Sequence, residues 1–98
     1  MTRDQLLQSI SELEAAANNM DEPDKTFKLS DIDQLKMELD GMALSDINAR
    51  MAAISLPDIN EMNSNIASAK DANNQHTQRV AAFNSAFQFI TGVLKFVI

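Results

Sequence analysis

His76 is the only histidine in a chain of 98 residues that contains no cysteine. A zinc site draws on several nitrogen or sulfur ligands and a thiolate nucleophile needs a thiol, so neither can be assembled from these residues. A serine–histidine–aspartate arrangement would have to use this one ring. His76 stands with Asn73 on an apolar stripe of helical spacing, where a polar pair reads as a layer that sets the register of packed helices. An imidazole in such a layer would also couple packing to pH.

The acids Asp31, Asp33, Glu38 and Asp40, followed by Gly41, look at first like a calcium loop. Such a loop opening at Asp31 needs glycine at its sixth position and an acid at its twelfth, and those positions hold Lys36 and Met42. Helix capping and solvation account for the acids better. Gly41 and Gly92 are isolated, so no phosphate-cradling loop is available. The sequence therefore nominates no catalytic residue, no cofactor and no metal ligand, and it predicts a protein that is not an enzyme.

The net charge of −6 is uneven: twelve of the fourteen acids lie before Ile59. An acidic front half repels phosphate backbones, and no basic stripe or aromatic platform offsets it, which argues against nucleic-acid binding. The first ten residues carry no apolar run of signal-peptide length, and Asp4 stands where a basic region would be. The expectation is a cytoplasmic protein, or one exported without a Sec signal.

With two glycines, two prolines and abundant Ala, Leu, Met, Gln and Glu, the composition favours an all-α fold over a sheet with tight hairpins. The pattern predicts a small bundle or hairpin of about four helices. Thr2 and Gln5 fit a capping box that opens the first, over 3–19, with Leu6, Leu7, Ile10, Leu13 and Ala17 on one face. Residues 20–29 contain Asp-Glu-Pro-Asp without helical periodicity and read as a loop, with Phe27 and Leu29 tucked against the core. The second helix covers 31–40 on Ile32, Leu35 and Leu39, and Gly41 ends it. The third, over 46–55, places Ile47, Met51 and Ile54 at successive turns.

Three related segments, Leu29-Ser30-Asp31-Ile32, Leu44-Ser45-Asp46-Ile47 and Leu56-Pro57-Asp58-Ile59, each read as a helix start. From the last of them a heptad seam runs through Ile59, Met62, Ile66, Ala69, Asn73, His76, Val80, Phe83, Phe87, Ile90, Leu94 and Val97. Unbroken over 58–97, that helix would be about 60 Å long, against a radius of gyration of roughly 13 Å for a compact domain of this size. Either it breaks near 73–74 or it projects as a long coiled-coil-like helix and meets a partner. The six methionines fall mostly at core-like positions, as ordinary gap fillers.

Beyond Val80 a second stripe, Ala82, Ala86, Phe89, Val93 and Phe96, lies beside the seam, and four of the five phenylalanines sit here. Three arrangements satisfy so wide an arc. It is the core helix of the monomer, or it is wedged between its own chain and a partner, or it touches a membrane. The stretch 80–98 holds one charge, Lys95, but Asn84, Ser85, Gln88 and Thr91 give it a continuous polar face, and there is no Trp or Tyr for an interfacial belt.

A build of about a hundred residues without cysteine, with a helical hairpin and an apolar C-terminal helix, resembles in outline the needle and inner-rod subunits of bacterial type III secretion and small secreted helical-hairpin proteins. The Trp-X-Gly turn is absent. The resemblance implies a structural or accessory subunit of a secretion apparatus. The residues themselves point to a protein-interaction module that forms a homo-oligomer or a hetero-complex through Val80, Phe83, Phe87, Phe89, Ile90, Val93, Leu94 and Phe96. A membrane-surface helical protein is the alternative of a different class.

Overall fold

Thr2 opens the chain's first helix by the reciprocal bonds its spacing predicts. The Gln5 N–H donates to Thr2 Oγ1 at 3.3 Å, and the Thr2 N–H donates to Gln5 Oε1 at 2.9 Å. The computed structural model describes residues 1–95, and among them every regular element is an α-helix: α1 Arg3–Asn18, α2 Asp24–Asp40, α3 Leu44–Ala52, α4 Leu56–Lys70 and α5 His76–Lys95. Helix α1 is the hub, packing against each of the other four, and α4 and α5 make the most extensive pair. Leu6, Ile10, Leu13 and Ala17 are buried as the periodicity requires, and Ser9 and Ala16 join them, narrow enough to let neighbours approach closely.

Over its described part, to Lys95, the helix predicted for 58–97 is two helices; Val97 of the seam lies outside the described residues. The chain turns at 71–75, and α5 folds back along α4 as an antiparallel pair. Polar residues make the turn: the Asn73 N–H donates to Asp71 Oδ1 at 2.9 Å, and Asn74 Nδ2 donates to the Ser68 carbonyl at 3.1 Å. The Gln75 N–H is capped by Gln78 Oε1 at 3.3 Å, so α5 starts cleanly at His76. The heptad seam closes on itself: Met62, Ile66 and Ala69 of α4 and Phe83, Ile90 and Leu94 of α5 join one core with α1. Folding back keeps the radius of gyration at 13.1 Å, the value of a compact domain and not of a rod.

Arg79 ties this hairpin to α1. Its Nε donates to the Ala69 carbonyl at 3.0 Å and its Nη1 to the Asn19 carbonyl at 3.5 Å, so one cation sits at the carbonyl ends of both α4 and α1. At the surface, Lys70 pairs with Glu12 and Lys36 with Glu14, linking α4 and α2 to α1 outside the buried core.

Helix α2 is longer than its sequence pattern. It begins at Asp24 and not at Asp31, so most of the expected loop over 20–29 is helical. Pro23 stands just before the first turn, where its missing N–H costs nothing, and Glu22 accepts the free N–H of Thr26 at 2.7 Å. Ser30 and Asp31 lie in the middle of the helix and start nothing. Periodicity fails over this turn because the face is wet: Phe27 is 63% exposed, contrary to the expectation that it tucks inward, while Leu29 packs against the core. The second related segment opens α3 two residues earlier than the predicted 46–55, at Leu44 and without a side-chain cap, and the helix ends at Ala52, leaving Ile54 in the turn that follows. The third starts α4, where Ser55 Oγ accepts the Asp58 N–H at 3.3 Å. Gly41 ends α2 in right-handed geometry, φ −82°, so its role is that of a residue without helix preference and not of a left-handed cap.

Candidate functional site

Helix α5 divides the predicted interface among three surroundings. Phe83, Ile90 and Leu94 face inward and are at most 4% exposed, so these three belong to the chain's own core. Phe87 leans toward α2: its ring stacks on Phe83 at 6.0 Å between centroids, with Lys28 of α2 poised 5.7 Å over the Phe83 ring. It lines a narrow cleft with Asp31, Leu35 and Thr91. Val80, Phe89 and Val93 are half-buried. Phe96 lies outside the described residues.

Phe89 and Val93 open on a groove of about 420 Å³, which they line with Gly92 and Gln88 of α5, Arg50 of α3, Ala53 and Ile54 of the following turn, and Asp58 of α4. Its origin is a mismatch of lengths. Helix α3 has 9 residues against the 20 of α5, and only its end, at Arg50, and the turn after it, at Ala53 and Ile54, border this flank of α5. The chain leaves α3 at Ala52 and enters α4 at Leu56, so the α3-facing flank of α5 runs past its cover. A Cβ placed on Gly92 meets nothing within 4 Å, which puts open space directly above the helix backbone there. Arg50 and Asp58 bring opposite charges to the same groove, and among the described residues neither has an ion-pair partner.

The other large exposed apolar side chains, Phe27, Met37, Leu44 and Leu56, do not line this groove. Single exposed apolar residues are ordinary on a surface, whereas a concave apolar lining is not. Sequence periodicity marks Phe89 and Val93 but has no means of marking Arg50, Ile54 or Asp58, which reach the groove through tertiary packing.

Asn73 and His76 do not form a register layer. Asn73 is exposed in the turn, and His76 is the first residue of α5, where its Nε2 lies 2.7 Å from Asp24 Oδ2 at the start of α2. The pair joins two helix N-termini at the surface, each side chain more than a third exposed. No serine or threonine hydroxyl bonds to the ring among the described residues, so the histidine–aspartate pair is not accompanied by a nucleophile within hydrogen-bond reach. The acids of the calcium-loop pattern lie along α2, a rigid helix that cannot wrap a cation, and no cluster of three or more metal-binding side chains occurs among the described residues. No helix among them is long and apolar enough to cross a membrane. No protein-family model, no curated protein and no solved structure matches this chain.

Proposed function

We propose that the chain is a non-enzymatic protein-interaction module whose contact surface is the α3-facing flank of α5, with Phe89 and Val93 as apolar anchors and Ile54 and the gap over Gly92 as the receiving wall. The observation that carries this reading is the groove left where α3 ends before α5 does. The groove is open along one side, so an occupant must bring its own cover. A protein surface does so, whereas a small ligand is ordinarily enclosed over most of its area. Full burial of an aromatic or aliphatic side chain stabilises by roughly 1.5–3 kcal/mol, and covering half-buried Phe89 or Val93 releases the remaining part of that. Half-buried aromatic residues next to a pocket are the usual anchors of a protein contact.

The reading is tested by placing a photo-reactive phenylalanine analogue at position 89 and, as a control, at Gln8 on the exposed side of α1. The expected outcome is a covalent protein adduct from position 89 and none from position 8. Loss of that adduct in a Gly92→Trp background, where the indole fills the groove from an open position, would localise the contact. Equal labelling from both positions, or none from position 89, overturns the reading.

A further inference from the structure

We infer that the occupant of this groove is a second copy of the chain, docked about a two-fold axis; the inference rests on the groove being a protein contact. Two features of the groove are self-complementary. The first is shape. On α5 a large ring, Phe89, stands three residues before Gly92, an exposed position in the groove lining that carries no side chain and where a Cβ would meet nothing within 4 Å. Two such helices laid antiparallel, with the axis passing between Ile90 and Thr91, place the Phe89 ring of each copy over Gly92 of the other. A knob and a hole on the same face, in reversed order on the facing helix, is what an isologous contact requires.

The second feature is charge. Arg50 and Asp58 come from different helices, both line the groove, and neither is neutralised within the described chain. In the inferred two-fold arrangement Arg50 of each copy pairs with Asp58 of the other, making the same contact twice. A groove with one sign of charge would repel its own copy. That matters because the chain as a whole carries −6, so two copies repel over most orientations and meet on favourable terms only where the charge is locally balanced. Three of the other cations are engaged elsewhere: Lys36 with Glu14, Lys70 with Glu12, and Arg79 with the carbonyls of Ala69 and Asn19.

The test is a charge-reversal mixing experiment on the full chain, read as molar mass by light scattering over a series from micromolar to millimolar. Wild-type mass should climb from one chain toward two. Arg50→Glu and Asp58→Arg should each remain a single chain where the wild type is paired, since each sets like charges against each other across the axis. Mixed in equal amounts they should pair again, because in the mixed dimer both contacts are between opposite charges. Asp58 is exposed and Arg50 half-buried, and neither has an ion-pair partner among the described residues, so each reversal forfeits only a favourable helix-end charge and circular dichroism should show the helices retained. Gly92→Trp, which fills the hole without touching the core, should also stay single and fold normally.

A wild type that remains one chain throughout, single variants that pair as the wild type does, or a mixture that fails to recover pairing would each overturn the second-copy assignment. The photo-adduct from position 89 separates this failure from that of the contact itself. An adduct with a different protein, from a chain that is single by light scattering, removes the two-fold dimer and leaves the docking groove in place. Absence of any adduct removes both.

Discussion

The α4–α5 hairpin and helix α2 both rest on α1, but they are held there by different means. The hairpin contributes Met62, Ile66, Ala69, Phe83, Ala86, Ile90 and Leu94 to the core, with Arg79 closing one end. Helix α2 contributes only Ile32, Leu35 and Leu39 as fully buried side chains, and its first turns are secured by polar bonds at the surface. Helix for helix α2 buries as much as α4 and packs on α1 as widely, but the hairpin acts as one unit of two helices and removes more area from water, so with α1 it forms the larger part of the frame. A contact surface on α5 therefore sits on the most firmly held part of the molecule, where its anchors are fixed before a partner arrives.

Two phenylalanines give the sharpest contrast. Phe83 is fully buried in the hairpin and Phe27 is 63% exposed on α2. Phe83→Ala should cost about 3–5 kcal/mol in denaturant unfolding, and Phe27→Ala within about 0.5 kcal/mol of nothing. Comparable losses at the two sites would mean that α2 is as much a part of the frame as the hairpin. The next effect in size is at Arg79. Replacing it with Met keeps the stem but removes the bonds to the carbonyls of Ala69 and Asn19, which should cost roughly 1–3 kcal/mol. Because the side chain joins two helix ends, the loss should appear as one cooperative transition at lower denaturant and not as separate melting of α5.

These contrasts follow how the chain reveals itself in sequence. The hairpin was legible as a three-and-four spacing of apolar residues, because both of its helices bury one face along their whole length. The spacing could not say whether the seam closes on itself or on another chain. Asn73 and Asn74 marked the place of the turn, but their bonds to Asp71 and Ser68 exist only once it has formed. The first turns of α2 were not legible, since none of residues 24–30 is fully buried and a helix without a buried face leaves no period to read. Of the groove, sequence marked Phe89 and Val93 as apolar; the opening beside them arises from where α3 stops, which no local pattern encodes.

Gly92 supplies a smaller effect of opposite sign. It lies inside α5 without a left-handed backbone, and a methyl group there meets open space. Gly92→Ala should therefore stabilise the chain by about 0.5–1 kcal/mol, through reduced freedom of the unfolded state. In a dimer assembled over that gap the same methyl crowds the facing Phe89 ring, so the variant should melt higher when dilute and associate less when concentrated. Ala at this position raising both quantities would sink the close helix crossing.

The smallest expected effect is at the polar entrance to α2. Hydrogen bonds from the Thr26 hydroxyl and then from its backbone N–H hold the Glu22 carboxyl below the usual glutamate range, and Lys25 lowers it further. A carboxylate whose folded value is depressed contributes stability at pH above its unfolded value, and that contribution disappears as pH falls through the folded one. Glu22→Gln keeps an acceptor for Thr26 but has no charge to lose. The melting temperatures of wild type and variant should therefore differ slightly at neutral pH, with the wild type higher, and converge on acidification below the ordinary glutamate range. The group is fully solvated and salt should shrink the gap further. A difference that persists unchanged into acid would mean that Glu22 supports α2 by shape and not by charge, and that helix would then owe less to its surface electrostatics than to Ile32, Leu35 and Leu39.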